Sequence, residues 1–323
     1  MTSCALPRFQ ERHHDYVLGP NQDARLASVA AGAVITDIEL QLDPDAPFVL
    51  RSRAVRQKYT STLTQGGLSL LKTKWTGPQR GDFRQQDYIL ESLQMAYYGQ
   101  AGNPKPVRPS ITYPANGILA INLINTSSSA LTNLTFFWRG VKLFPWGSVP
   151  AYRYPPAMKG LTFSYPVPIK TLGVSEKRTN LIFQPGMDNS TGITKPDSDF
   201  VLRAGQADPP FQNAGESIRQ FAEVGIRLYD WNKKPYSNDF VPLDVIFGSG
   251  NFPLVFPTGS NAAANLVGPF GTGPGQPGLF YPEIYVPRLN QLIYDIQRTD
   301  GAVNLNQSES FVINFIGQKV FPQ

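Results

Sequence analysis

Cysteine is almost absent from this chain: Cys4 is the only one in 323 residues. No intrachain disulfide can form, so the fold must be held by its own core, and the reducing cytoplasm is the expected place of synthesis. Histidine is nearly as scarce, with His13 and His14 side by side and no third. That scarcity removes H-E-x-x-H, C-x-x-C and the Cys/His zinc patterns, and leaves carboxylates as the remaining route to hydrolytic chemistry. Charged residues make up 16% of the chain, with a formal net charge of +5. Basic residues form no run of the length that marks a nucleic-acid tail. The nearest group, Arg51, Arg53, Arg56 and Lys58, has the mixed spacing of a solvated strand and turn, so direct nucleic-acid binding is not expected. No apolar run approaches the roughly 18 residues of a membrane span, and the residues after Met1 lack the pattern of a secretory leader. The expectation is a soluble chain that is not exported and has no membrane span.

What the chain does have is turn chemistry and hydrophobic alternation. Gly (28) and Pro (29) are frequent without a collagen-like period, and hydrophobic residues reach 41%. Proline is kept out of helix interiors and central strands, so this composition suits many short strands joined by turns. The length allows two domains, each able to bury a core without metals or disulfides.

A search for self-similarity finds an internal repeat. Phe48-Val49-Leu50-Arg51 recurs as Phe200-Val201-Leu202-Arg203. An alternating run ending at Trp75 is matched by one ending at Trp231, each followed by a polar turn and Asp82-Phe83 or Asp239-Phe240. Residues 88–99 and 241–248 both end in an aromatic residue and Gly. Ile111-Thr-Tyr-Pro114 leads to Leu119, Ile121 and Leu123, as Ile284-Tyr-Val-Pro287 leads to Leu292, Tyr294 and Ile296. Gly140-x-Lys142-x-Phe144-Pro145 returns as Gly317-x-Lys319-x-Phe321-Pro322, and the additional length of the second copy falls mainly in the Gly/Pro-rich stretch from Thr258 to Gly278. The period-2 alternation predicts half-buried strands, including residues 86–98 and their counterpart, about seven or eight strands per copy. The expected fold is all-β: two tandem jelly-roll β-sandwiches from an internal duplication, with an N-terminal arm. The boundaries are an arm over 1–33, a first sandwich over 34–146, a Pro/aromatic strap over 147–180 and a second sandwich over 181–323. Within the arm, Asp23 is the expected cap of a short helix or docked segment.

Each residue type with chemistry has a structural reading beside a functional one. His13 and His14 read as exposed arm residues instead of metal ligands. Asp43 and Asp45 flank Pro44 ahead of the first Phe-Val-Leu-Arg, with Asp197 and Asp199 in the matching place. Paired carboxylates serve as acid and base or bind calcium, but their recurrence beside proline at a strand entry favours turns. Gly271 to Gly278 lacks the Lys-Ser/Thr of a phosphate loop, and Pro274 and Pro277 remove amide donors. Lys142 and Lys319 read as solubilising edge-strand residues, with the neighbouring Gly permitting a bulge. Trp75 and Trp231 read as core anchors over sugar-stacking platforms. No catalytic, cofactor-binding or metal-binding set emerges, so the chain is expected not to be an enzyme and to need no cofactor.

The succession of Phe-Val-Leu-Arg, the aromatic-Gly strand end and the terminal Gly-x-Lys-x-Phe resembles bacteriophage virion structural proteins over both copies. Two sandwiches in tandem also resemble the double jelly-roll capsid subunits whose trimers tile a pseudo-hexagonal lattice. The chain departs from that pattern in lacking long tower insertions, except for Thr258 to Gly278. The resemblance implies a non-enzymatic capsid subunit or capsid-bound cement protein of a phage head. Such a protein is made in the bacterial cytoplasm and assembled into the virion, with copies of itself and other shell proteins as partners. The alternative is a carbohydrate- or receptor-binding module on a spike or tail.

Overall fold

The structure, a computed structural model, describes residues 9–56, 70–75, 88–90, 105–148, 160–173, 175–186, 198–208, 224–246, 278–298 and 309–321. It divides into two compact units, Met1–Tyr98 with Pro104–Tyr154 and Gly99–Asn103 with Pro155–Gln323. In the first unit the strands are β1 (Phe9–Leu18), β2 (Ser28–Val29), β3 (Val34–Gln41), β4 (Phe48–Arg56), β5 (Leu71–Trp75), β6 (Ile89–Leu90), β7 (Lys105–Tyr113), β8 (Ile118–Asn125), β9 (Leu131–Thr132) and β10 (Thr135–Pro145). In the second they are β11 (Gly160–Leu172), β12 (Lys177–Phe183), β13 (Asp199–Asp208), β14 (Val224–Tyr229), β15 (Val241–Pro242), β16 (Gly278–Val286), β17 (Leu292–Arg298) and β18 (Glu309–Val320). The fold is all-β, built from antiparallel sheets.

The first unit contains sheets ordered β1-β10-β4-β7 and β3-β8-β5-β6, with β2 and β9 forming a small extra pair. The second contains β11-β18-β13-β16 and β12-β17-β14-β15. Taken in chain order and without the extra pair, the two units have the same connectivity, strand for strand. Alternation explains the sheets: Leu119, Ile121 and Leu123 on β8 are buried while their neighbours are half-buried, and Val224, Ile226 and Leu228 on β14 repeat this. Leu50, Leu202, Ile121 and Tyr294 all lie in the interior, as their register predicts. Aromatic rings fill the space between sheets, with Trp75 edge-on to Trp138 at 5.4 Å in one unit and Phe183 against Phe315 at 4.6 Å in the other.

The repeated motifs have a common structural meaning. Where β4 crosses β10 the register slips, so that Leu50 faces Gly140, Ser52 faces Arg139 and Arg51 is left over. Where β13 crosses β18, Leu202 faces Gly317, Ala204 faces Ile316 and Arg203 is left over. These are β-bulges, and the extra arginine of each points to an acid, Arg51 to Glu11 at 2.6 Å and Arg203 to Glu283 at 2.9 Å. The glycine opposite is obligatory. A Cβ on Gly140 would sit 2.1 Å from the Val49 carbonyl oxygen and 2.7 Å from the Phe48 ring, and one on Gly317 would meet Val201 and Phe200 at the same distances.

A second shared bulge carries no repeated motif. On β3 the ladder to β8 breaks between Ile35 and Ile38, and on β12 the ladder to β17 breaks between Arg178 and Leu181. Asp37 and Asn180 sit in these breaks with φ of 54° and 56°. Asp and Asn are the residues beside glycine that enter this left-handed region most readily. The Asp37 N–H donates to Asn122 Oδ1 at 2.7 Å, and the Asn180 N–H donates to Asp295 Oδ1 at 2.9 Å.

Several expectations are corrected. Residues 9–18 are no arm: β1 pairs along its whole length with β10, because its alternate residues Tyr16 and Leu18 complete the first core. Asp23 does cap a helical segment, but only one 3-10 turn, Ala24–Ala27, before β2 begins. Residues 160–172 of the expected strap form β11 and pair with β18, and 177–180 belong to β12; both strands open the second unit. Of residues 86–98, Ile89–Leu90 forms a strand paired with β5, and most of the rest lies outside the described residues. Of its counterpart at 241–248, the described residues form a strand over Val241–Pro242 and then a short helix, Leu243–Ile246, whose end residues are buried; residues 247–248 lie outside the described residues. Proline lacks an N–H for a longer ladder and suits a helix start. Trp75 pairs with Ile121, whereas the residue paired with Tyr294 is Leu228, so Leu228 is the counterpart of Trp75. Trp231 stands half-buried in the turn after β14, where Asp230 Oδ1 accepts the N–H groups of Asn232 and Lys234 at 2.9 Å. Residues 258–277, which include most of the Gly-rich loop, lie outside the described residues.

Candidate functional site

The chain's two histidines lie on β1, and both are buried. Successive strand residues face opposite sides, so His13 and Asp15 share one side while His14 and Tyr16 share the other. Asp15 grips the Arg139 guanidinium from the neighbouring strand, Nε to Oδ1 at 3.0 Å and Nη2 to Oδ2 at 3.3 Å. His13 Nε2 lies 3.2 Å from Asp15 Oδ2. Burial alone would raise the Asp15 pKa; Arg139 and then His13 outweigh it and hold the carboxyl well below the usual carboxylate range. This cluster is a satisfied buried ion pair of the kind that is costly to break from one side.

On the core side, the His14 ring stands edge-on to Tyr16 at 4.5 Å, with Nε2 at 3.6 Å from Asp43 Oδ2 and neither ring nitrogen hydrogen-bonded. Burial, reinforced by the nearby Lys142 charge, keeps the imidazole pKa well below its ordinary value despite the opposing pull of Asp15. Lys142 is not on an edge. It belongs to β10, a central strand, and its side chain is 4% exposed. Its Nζ donates to Asp43 Oδ2 at 2.5 Å and to Asp45 Oδ1 at 2.8 Å, and it lies 5.8 Å from the Tyr16 ring centroid. The Tyr16 hydroxyl donates to Asp43 Oδ2 at 3.2 Å and accepts the Asp43 N–H at 3.1 Å. The two carboxylates are 43% and 47% exposed, so a dry amine meets a wet pair of acids.

The second unit keeps half of this arrangement. Tyr165 faces Phe315 as Tyr16 faces Trp138, and Lys319 lies over its ring at 5.5 Å. The Gly186 N–H donates to the Tyr165 hydroxyl at 3.0 Å. Gly186 follows Phe183 at the spacing by which Asp43 follows Leu40, so it is the counterpart of Asp43 without the carboxylate. Asp199 is not the partner of Asp45. It opens β13, accepts from the Tyr285 hydroxyl at 2.7 Å and the Arg288 N–H at 3.0 Å, and occupies the place of Pro47. Asp197 lies outside the described residues. The turn reading of Asp43 and Asp45 therefore missed their bond to Lys142, for which the only sequence signal was the Gly-x-Lys motif itself.

Among the described residues no group of three or more His, Cys, Asp or Glu side chains is placed to hold a metal, and no helix is long and apolar enough to cross a membrane.

No protein-family description matches the sequence, and no curated protein does. Among solved structures, a peptide-N(4)-(N-acetyl-β-D-glucosaminyl) asparagine amidase aligns with 96% of this chain and 100% of its own at 9% identity, with a TM-score of 0.19. The infectious bursal disease virus Gt strain structure aligns over 100% of this chain and 80% of its own at 8% identity, TM-score 0.21. The tandem CBM22 domains of Paenibacillus barcinonensis Xyn10C align over 98% and 99% at 10% identity, TM-score 0.16. Viral proteins are thus among the weak structural neighbours, and at these scores none of the likenesses carries an argument about fold or function.

Proposed function

We propose that each unit is a jelly roll, that the two descend from one duplicated ancestor, and that the chain is a non-enzymatic structural protein of a bacteriophage virion. In this reading it serves in the head, as a double jelly-roll capsid subunit or a cement protein bound to the shell. Its partners are copies of itself, as a trimer or another symmetric oligomer, and other shell proteins. The observation that carries the reading is the tandem repetition of one eight-strand order within a single chain. Two like sandwiches per chain let a three-fold oligomer present six similar faces, which is what a hexagonal lattice requires. The polar clusters described above tie strand to strand and corner to strand, in keeping with a building block.

Light scattering and negative-stain electron microscopy of the purified chain test this reading. A closed symmetric oligomer or shell fragment supports it. A chain that stays monomeric at high concentration and binds saturably on a glycan array replaces it with the carbohydrate- or receptor-binding module.

A further inference from the structure

The Lys142 amine is held in hydrogen-bond contact with two carboxylates, and an unpartnered imidazole points at the same carboxylate. We propose that Lys142 and Asp43 condense into an intramolecular isopeptide bond, joining β10 to the corner between β3 and β4.

The groups have the roles such a condensation needs. Lys142 is the nucleophile; contact between Nζ and Asp43 Oδ2 brings the carboxyl carbon near the attack distance of about 3–3.5 Å. Asp45, on the other side of the amine, is the proton shuttle. The Tyr16 hydroxyl donates to the Asp43 oxygen on which charge gathers, and burial holds that phenol above its usual pKa range, so it keeps its proton. Asp45 relays a proton from the ammonium to Asp43 Oδ1, and the freed lone pair attacks the carbon of the now neutral carboxyl. The carbon–oxygen bond to Oδ1 then breaks, and both protons lost by nitrogen leave on that oxygen as water. Ammonium and carboxylate become a secondary amide, with Asp45 restored and no oxidant or cofactor consumed. The amine sits on the dry side and the acids on the wet side, so the released water has an exit. In the second unit Lys319 likewise lies over a tyrosine ring, and Gly186 stands at the position of Asp43, so that corner offers no side-chain acceptor for the same bond.

The test is the intact mass of the purified full-length chain under denaturing conditions. The expected result is a species one water lighter than the sequence mass, with a branched peptide joining the segments around Asp43 and Lys142 after digestion. Asp43→Ala and Lys142→Arg restore the full mass, and Asp45→Asn slows the bond so that uncrosslinked chain is still present at purification. A chain that keeps its full mass after days of incubation overturns the proposal. So does a water loss that maps elsewhere or persists in Lys142→Arg. The wild-type measurement decides the matter even where a variant fails to fold.

Discussion

Asp43 and Gly186 each donate a backbone N–H to a tyrosine hydroxyl, Asp43 to Tyr16 at 3.1 Å and Gly186 to Tyr165 at 3.0 Å. The corner after the third strand of one unit and after its counterpart in the other is therefore held by the same bond, although the two residues share no side-chain chemistry.

Removing either hydroxyl tests that bond. Tyr165→Phe leaves one partly buried N–H without its acceptor and is expected to cost about 1–2 kcal/mol. Tyr16→Phe removes the acceptor of the Asp43 N–H and a donor to the Asp43 carboxylate, and is expected to cost about 2–3 kcal/mol. Chemical denaturation of each variant measures both values; equal and negligible losses would show that the corner is held by other contacts.

The glycines under Phe48 and Phe200 are expected to tolerate no side chain. Gly140→Ala and Gly317→Ala each set a methyl against a backbone carbonyl that cannot move without breaking the bulge, and should each cost about 3 kcal/mol or more. Gly147→Ala is the control. Nothing lies within 4 Å of its Cβ position and only its positive φ of 86° is at stake, about 1 kcal/mol. Thermal melts of the three variants should fall into that order.

Two acid-sensitive groups should shape stability against pH. His14 has a folded pKa well below its ordinary 6.5, so the unfolded chain binds more protons below that value. Stability contributed by neutral His14 is present above pH 6.5 and is lost as pH falls below it. Asp15 behaves likewise but from its ordinary value of 3.8 downward, so its loss comes only in strong acid. His14→Leu should flatten the profile just below pH 6.5 and leave the acid limb intact. Denaturation midpoints measured across this range check both limbs, and an unchanged slope in His14→Leu would place the sensitivity elsewhere.

Deleting residues 1–32 should abolish folding of the first unit, because β10 would lose its partner along all of Phe9–Leu18 and the core would lose Tyr16 and Leu18. Limited proteolysis should then degrade residues of the first unit while those of the second persist. A cooperative melt equal to that of the intact chain would contradict the role assigned to β1.

The repeat was legible because its strongest motifs, Phe-Val-Leu-Arg and Gly-x-Lys, mark backbone requirements: a ring over a glycine and a slip in the ladder. Such requirements resist substitution and survive as letters. Other equivalences were illegible for the opposite reason. Asp37 with Asn180, and Asn122 with Asp295, preserve an N–H to side-chain oxygen bond that either residue type can supply. The shared letter of Trp75 and Trp231 does not mark an equivalence, because ladder register decides it and places Leu228 opposite Tyr294 as Trp75 stands opposite Ile121. β1 is illegible as a strand because His13, His14, Asp15 and Arg139 are polar on a strand pair buried on both sides. Alternation cannot reveal a strand whose two faces are both occupied, one by rings and the other by an ion pair.

The break at Asp37 has a consequence for crowding. β3 is an outer strand, and its exposed carbonyls would otherwise template the addition of a foreign strand. The left-handed residue kinks that rim, and Arg25, steadied by Asp23, donates to the carbonyls of Thr36 and Asp37, both at 2.9 Å. The guanidinium thus takes up acceptors that an incoming backbone would need. A second chain brought against this rim is deterred from zipping onto it, and contact made there falls to side chains, where specificity can be encoded residue by residue.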